Sequence, residues 1–161
     1  MKKRIALAEN ANVGKSVIFN ALTGLHQHIG NWPGKTIERA EGTLKHGNCI
    51  IDVIDLPGIY SLSSFSQEED VTRDYILREK PDVVVNVIDA SALERNLYLA
   101  LQLIEMKIPM VIALNQVDFA KSHGIEIDAK KLETFLGVPV VPTVATRREG
   151  LSELMDRVID L

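Results

Sequence analysis

The stretch Glu9-Asn-Ala-Asn-Val-Gly-Lys-Ser16 decides how the rest of the chain is understood. It ends as the phosphate-binding pattern G-x-x-x-x-G-K-[ST] does, but a glutamate stands where the first glycine belongs. An apolar run, Arg4–Ala8, precedes it, and a helix-period segment, Lys15–Leu22, overlaps its end. A strand, a loop and a helix in that order aim backbone N–H groups at an anion. The stretch therefore predicts a site for nucleotide phosphates.

Short runs rich in β-branched residues alternate with helix-period segments along the whole chain. The runs are typical of strands buried on both faces of a parallel sheet, and they are Arg4–Ala8, Cys49–Ile54, Val83–Ile88, Met110–Leu114 and Val138–Val141. The predicted helices are Lys15–Leu22, Glu69–Arg78, Leu93–Met106, Asp128–Leu136, which ends at a capping Gly137, and Leu151–Leu161.

Two further segments complete the predicted fold. Arg39–His46 is expected to pair with the strand Cys49–Ile54 through a short turn, and Leu25–Ile37 is expected to be a long irregular loop. The prediction is a three-layer α/β domain with helices on both faces. Its sheet is mostly parallel, with six to seven strands and one antiparallel edge strand.

Composition limits the classes of function. The 161 residues amount to about one domain, 46% are hydrophobic and 25% are charged, as in ordinary globular proteins. The net charge of −4 and the scattered basic residues do not favour a nucleic-acid partner. The single cysteine, Cys49, cannot form an internal disulfide, and no apolar run approaches the roughly 18–20 residues of a membrane helix. We expect one soluble domain over residues 1–161.

Residue types at the predicted phosphate end match known roles. Lys15 would reach the β- and γ-phosphates, and the Ser16 hydroxyl would bind Mg²⁺. Asp55-Leu-Pro-Gly58 closes a strand, so that Asp55 could hold the Mg²⁺ through water and the Gly58 N–H could meet a γ-phosphate. The predicted phosphate contacts of the loop are Asn10, Ala11, Asn12, Val13, Gly14, Lys15, Ser16 and Val17.

Glu9 departs from the phosphate-loop pattern. A carboxylate near a triphosphate is repelled, and a side chain resists the backbone turn that glycine allows. We predict that the loop still forms with Glu9 turned outward, and that nucleotide affinity is weakened by about 1–2 kcal/mol. The alternative is that Glu9 is a neutral replacement or an engineered change.

The stretch Asn115-Gln-Val-Asp118 predicts the base end of the site. It follows the strand Met110–Leu114, and N-x-x-D at such a place reads guanine. The Asp118 carboxylate would accept from guanine N1–H and N2–H₂, a pair that adenine does not offer. Gln116 would cover the base, where a lysine is usual. The alternative for Asn115 and Asp118 is a helix N-cap.

The stretch Thr143-Val-Ala-Thr146 follows the last strand. It occupies the place where a short loop offers backbone N–H groups to guanine O6. Val144, Ala145 and Thr146 are therefore predicted to line the base site.

With these four motifs in order, the chain resembles the Ras-like GTPase superfamily. Gly30-Asn-Trp-Pro-Gly-Lys-Thr36 and Asp55-Leu-Pro-Gly-Ile-Tyr-Ser-Leu62 narrow the resemblance to the N-terminal G domain of FeoB-type ferrous iron transporters, and Leu22-Thr-Gly24 and Glu149-Gly-Leu151 also fit. The resemblance covers essentially the whole chain. It implies a P-loop GTPase fold, a place on the cytoplasmic side of the membrane, and helical linker and permease domains outside this sequence. It leaves open a homo-oligomer in the intact transporter.

The resemblance also implies residue roles. Thr36 would complete Mg²⁺ coordination in the GTP state, and Gly34 would contact the nucleotide. Asn12 would help to bind a K⁺ that replaces the positive charge of an arginine finger. The implied catalytic residues are Lys15, Thr36, Asn12 and Gly58. Ile59 stands where many relatives have a glutamine that orients water, so hydrolysis is predicted to be slow and K⁺-stimulated.

The predicted function is a slow GTP-hydrolysing switch domain that binds GTP, GDP and Mg²⁺ and regulates Fe(II) transport. Leu25–Ile37 and Leu56–Asp70 are expected to change order between the GTP and GDP states. One alternative is a GTPase of ribosome or RNA maturation, and another is an interaction module whose nucleotide site Glu9 has impaired. His26 and His28 could form a metal or Fe²⁺ site, but they are expected to face solvent. Trp32 could cover the nucleotide, contact a partner or anchor its loop.

Overall fold

The computed structural model describes residues 1–11, 16–63 and 65–161. The strands within these residues are β1 (Lys2–Glu9), β2 (Gln27–Asn31), β3 (Glu38–His46), β4 (Cys49–Asp55), β5 (Val83–Asp89), β6 (Met110–Asn115) and β7 (Val140–Pro142). The α-helices are α1 (Val17–Thr23), α2 (Gln67–Asp74), α3 (Leu93–Glu105), α4 (Val117–Ser122), α5 (Ala129–Leu136) and α6 (Leu151–Asp160). A π-helical turn, Tyr75–Glu79, continues α2, and 3₁₀ turns lie at Ala90–Ala92 and Ala145–Arg147.

The strands form one sheet in the order β2-β3-β4-β1-β5-β6-β7. β1 lies between β4 and β5 and is parallel to both, and β6 and β7 continue the parallel part. β3 is antiparallel to β4 and to β2. The predicted fold class is confirmed. Because the carboxyl ends of parallel strands lie along one edge, the ends of β1, β4, β5 and β6 meet where an open α/β sheet binds ligands.

The core has two halves, one on each face of the sheet. Val83, Val85 and Val87 of β5 pack in the half that includes α1 and α6, whereas Val84 and Ile88 pack in the half that includes α3. A strand's side chains alternate between faces, so burial on both faces explains why the apolar residues of these runs do not alternate with polar ones.

The antiparallel edge holds two strands rather than one. Leu25–Ile37 was expected to be irregular throughout, but its residues Gln27–Asn31 form β2. This strand is mostly exposed and has almost no apolar alternation, so its register comes from backbone pairing with β3. Gly42 allows the close approach at this edge, because a Cβ there would lie 2.6 Å from the carbonyl oxygen of His26.

The helices agree with prediction except in two places. The predicted helix Glu69–Arg78 is α2 followed by the π-helical turn, and the short helix α4 was not predicted. The cap at Gly137 is confirmed, with φ 73° and its N–H donating to the Glu133 carbonyl at 2.8 Å. Among the described residues, no helix is both long and apolar enough to cross a membrane.

Candidate nucleotide-binding site

Four of the predicted phosphate contacts, Asn12, Val13, Gly14 and Lys15, lie outside the described residues. The described residues on either side of them are Ala11, which follows β1, and Ser16, which precedes α1. A cavity of about 430 Å³ opens beside this point. Its lining includes Thr36, Asp55 and Gly58, which the sequence assigned to Mg²⁺ and to the γ-phosphate.

Ser16 brings two strand ends together. Its hydroxyl donates to the Asp55 carboxylate at the end of β4. Its backbone N–H donates to Oε1 of Glu9 at 3.5 Å. Ser16 has φ 66° and ψ 18°, a left-handed conformation that is uncommon for a residue with a side chain.

The prediction that Glu9 turns outward is wrong. Only 8% of Glu9 is exposed. Ile5 and Leu7 of β1 pack in the core half that contains α1, and the two-residue period of a strand directs Glu9 to the same face, where α1 begins. Strand geometry therefore places this carboxylate against the amide of Ser16.

The stretch Asp55–Gly58 lies directly against the entrance of the phosphate loop. The Ile59 N–H donates to the Glu9 carbonyl at 3.1 Å, and the Ala11 N–H donates to the Ile59 carbonyl at 3.1 Å. A Cβ on Gly58 would lie 3.1 Å from Cα of Ala11. Glycine at this position therefore lets two backbones approach closely.

Trp32 is a packed anchor of its loop. It is 7% exposed, its ring meets Tyr75 edge-on at 5.8 Å, and the Arg39 guanidinium carbon lies 4.5 Å from the ring centroid. Burial raises the pKa of the Tyr75 hydroxyl, so this side chain is neutral near pH 7. The loop that carries Thr36 is thus tied to the π-helical turn that follows α2.

At the base end, Asn115 joins two loops. Its Oδ1 accepts from the Thr143 hydroxyl and from the Ala145 N–H, both at 3.0 Å. Val144 exchanges two backbone hydrogen bonds with Glu149, at 3.0 and 3.1 Å. The amides of Val144 and Ala145 would therefore have to change partners to reach guanine O6.

Gln116 and Asp118 of the same stretch also contact other side chains. With its side-chain amide oriented so that the oxygen and the nitrogen both face suitable partners, Gln116 donates to the two carboxylate oxygens of Asp89 at 3.1 and 3.2 Å. Asp118 lies in the first turn of α4, and Arg147 is 3.9 Å from its carboxylate. Its side chain is 37% exposed, so it can be reached from solvent.

Sequence reasoning missed Asp89 and Arg147. Asp89 ends β5, caps the following turn by accepting from the Ser91 N–H at 2.8 Å, and positions Gln116. The sequence signal for Asp89 was its position at the end of an apolar strand, because Asp55 and Asn115 also end apolar strands of the same sheet. Arg147 had no sequence signal apart from its closeness to the predicted base loop.

The histidine pair fits the expectation of a solvent-facing segment. His26 and His28 are both exposed. Among residues 1–11, 16–63 and 65–161, no group of three or more His, Cys, Asp or Glu side chains is arranged to hold a metal ion.

The fold and these strand ends define the class of the domain, a P-loop GTPase fold in which β1 leads to the G-K-S stretch and β6 leads to N-x-x-D. A model of the family described as Ferrous iron transport protein B matches residues 3–158. The chain belongs to this family.

Individual relatives agree over nearly the whole chain. A fusion protein of Fe(2+) transport protein A and the Fe(2+) transporter FeoB from Porphyromonas gingivalis is 50% identical over 159 residues, which are 98% of this chain and 19% of that protein. FeoB of Escherichia coli K12 is 46% identical, with 96% of this chain and 21% of that protein covered. The chain thus spans about a fifth of the length of the curated relatives it matches.

Solved structures of relatives have the same fold. The FeoB G-domain of Methanococcus jannaschii has a TM-score of 0.87 and 51% identity, with 99% of this chain and 96% of that chain covered. The cytosolic domain of T. maritima FeoB in its GMPPNP form has a TM-score of 0.95 and 42% identity, with 98% of this chain and 63% of that chain covered.

Proposed function

We propose that residues 1–161 form a single G domain that binds GTP and GDP and hydrolyses GTP slowly, and that regulates the passage of Fe(II) through a membrane domain of the intact protein. The observation that carries the proposal is the contact of the Ser16 hydroxyl with Asp55, beside the cavity lined by Thr36 and Gly58. Related domains crystallised in GDP and GMPPNP forms support guanine nucleotide as the ligand.

The donor set suits Mg²⁺. Ser16 and Thr36 offer hydroxyl oxygens and Asp55 offers a carboxylate, and hard oxygen donors with retained waters are what Mg²⁺ prefers. When bound, the ion would neutralise charge that develops on the phosphates. Ser16 and Thr36 would bind it directly, Asp55 would act through water, and the Ser16–Asp55 hydrogen bond would give way to these contacts.

Base selection falls to Asp118 and Asn115. Asp118 is accessible and acidic, and it can accept from the paired N–H groups of guanine. Asn115 fixes the neighbouring loop through Thr143 and Ala145. A base without the two donors would leave the Asp118 carboxylate unpaired, and such sites discriminate strongly.

The proposed chemistry depends on backbone and cations. Lys15 neutralises the β- and γ-phosphates, Gly58 contacts the γ-phosphate, and Asn12 helps to hold K⁺. Ile59 is 2% exposed in the core, and its aliphatic side chain has no group that could orient an attacking water. Slow hydrolysis that K⁺ stimulates follows. Loss of the γ-phosphate would release the segments around Thr36 and Gly58, and a helical linker would pass this change to the permease.

Binding and turnover test the proposal together. We expect calorimetry with Mg²⁺ to detect GDP and a non-hydrolysable GTP analogue but not ADP, and GTP turnover to be faster in K⁺ than in Na⁺ buffer. Equal heats for GDP and ADP would contradict guanine recognition, and equal rates in the two salts would contradict the role of K⁺.

One observation favours a second candidate. The buried Glu9 carboxylate at the Ser16 amide fits an interaction module with an impaired nucleotide site. Absence of GDP binding, with the thermal unfolding of the chain intact, would favour that module.

A further inference from the structure

We propose that the Glu9 carboxylate is an intramolecular competitor of the nucleotide phosphates, so that this chain binds GDP or GTP only when Glu9 gives up the backbone N–H of Ser16. The inference rests on the proposed nucleotide function and deepens it by naming the residue that sets phosphate affinity.

The position of Glu9 is fixed by the sheet. Its backbone pairs with Val87 of β5, and its carbonyl accepts from the Ile59 N–H at 3.1 Å. With the backbone held on both sides, the side chain can leave the face of α1 only by changing rotamer within a crowded site, where it is 8% exposed. The Glu9 carboxylate is therefore a fixed part of the cavity lining and not a solvent-exposed group.

Ser16 has two groups that a nucleotide complex would use. In a phosphate loop the backbone N–H groups cradle phosphate oxygens, and the hydroxyl binds Mg²⁺. Here Glu9 accepts from the first group and Asp55 accepts from the second. Both groups of Ser16 therefore already bind an acidic side chain.

Charge makes the Glu9 contact the more consequential of the two. Asp55 can stay beside Ser16 in a complex because a divalent cation would lie between them. Glu9 takes the place of an anion, so the incoming phosphates both lose a donor and meet a like charge. The two effects act in the same direction and weaken binding of the phosphates but not of the base.

Two substitutions separate charge from size. Glu9→Gln keeps the shape and removes the charge, whereas Glu9→Gly removes both. The matched control is Glu38→Gln, because Glu38 lines the rim of the same cavity but is exposed. Glu38→Gln therefore changes the net charge of the cavity equally, without touching the amide of Ser16.

The experiment compares guanosine, GMP and GDP binding to the whole chain and to the three variants, with Mg²⁺ present. We expect Glu9→Gln and Glu9→Gly to bind GDP at least about tenfold more tightly than the parent chain, which corresponds to a free-energy difference of about 1.4 kcal/mol. The gain should be smaller for GMP and absent for guanosine, and Glu38→Gln should change GDP affinity less than about twofold.

A second readout does not need nucleotide. The amide resonance of Ser16 in a ¹H–¹⁵N spectrum should move in Glu9→Gln and stay in place in Glu38→Gln. If the Ser16 amide resonance does not move in Glu9→Gln, the proposal is overturned.

The remaining outcomes separate this inference from the proposed function. If the parent and Glu9→Gln bind GDP equally well, the competitor role fails while the nucleotide function stands. If Glu9→Gln and Glu38→Gln increase GDP affinity equally, the increase comes from the net charge of the cavity, and the competitor role also fails. If no variant, including Glu9→Gly, binds GDP or guanosine, both proposals fail.

Discussion

At the scale of single residues, position along a strand decides which side chains meet. Glu9, Asp55, Asp89 and Asn115 each end a strand of the same sheet, and all four accept hydrogen bonds from residues beyond their own strand. The motifs D-x-x-G and N-x-x-D placed Asp55 and Asn115 in the predicted site, because the spacing of each motif is specific. They did not predict the direction of the Glu9 side chain. That direction depends on which face of the sheet α1 covers, because side chains along β1 alternate between the two faces.

The proposed base preference can be reversed at one atom. We predict that Asp118→Asn weakens GDP binding by at least about 100-fold, because the new amide N–H₂ faces the N–H groups of guanine. The same change should favour a xanthine nucleotide, whose 2-carbonyl can accept from that amide. Competition between GDP and XDP measures the effect.

Asp160→Asn is the matched control for that experiment, since Asp160 is exposed at the end of α6. It should leave both affinities unchanged. A GDP affinity that survives in Asp118→Asn would mean that Asp118 does not read the base.

At the scale of elements, the loop between β2 and β3 and the π-helical turn after α2 are joined by Trp32 and Tyr75. The sequence predicted neither β2 nor this contact. β2 is stabilised by backbone pairing with β3 rather than by apolar burial, and a π-helical turn has no clear sequence period.

The chain's single tryptophan reports on that contact. We predict that Tyr75→Ala shifts Trp32 emission to longer wavelength and increases its quenching by acrylamide, because a buried indole becomes wet. Tyr75→Phe keeps the ring and should leave the emission unchanged. Unaltered quenching in Tyr75→Ala would show that other contacts hold the loop.

A second element contact depends on pH. Oε1 of Glu133 in α5 accepts from the Val140 N–H and from Arg157, both at 2.9 Å. The Val140 hydrogen bond, helped by Arg157, holds the pKa of Glu133 below its usual 4.5. Because the folded pKa is lowered, this group stabilises the fold above the unfolded pKa, and the contribution is lost as pH falls through the folded value.

We therefore predict that Glu133→Gln lowers the unfolding temperature slightly at neutral pH and that the difference disappears in acid. The effect is small because the side chain is 36% exposed. Thermal unfolding of both chains from about pH 6 to about pH 3 measures it. Glu153→Gln, an exposed change on α6, should show no such trend, and a difference independent of pH would contradict the assignment.

At the scale of the whole molecule, the alternation of buried strands and helices was enough to predict the fold class. Runs such as Val83–Ile88 are apolar on both faces, and that pattern fits the centre of a parallel sheet. The short helix α4 escaped prediction because six residues show too little periodicity. The pairing of Gln116 with Asp89 depends on strand order, which no local pattern contains.

The central claim is that one nucleotide spans the carboxyl edge of the sheet, with its phosphates near Ser16 and Gly58 and its base near Asn115 and Ala145. A ¹H–¹⁵N titration of the Glu9→Gly chain with GDP and Mg²⁺ tests it most directly. We predict that the amides of Ser16, Gly58 and Ala145 shift together and saturate at one concentration. Shifts confined to one end of the edge, or the same shifts with ADP, would contradict the claim.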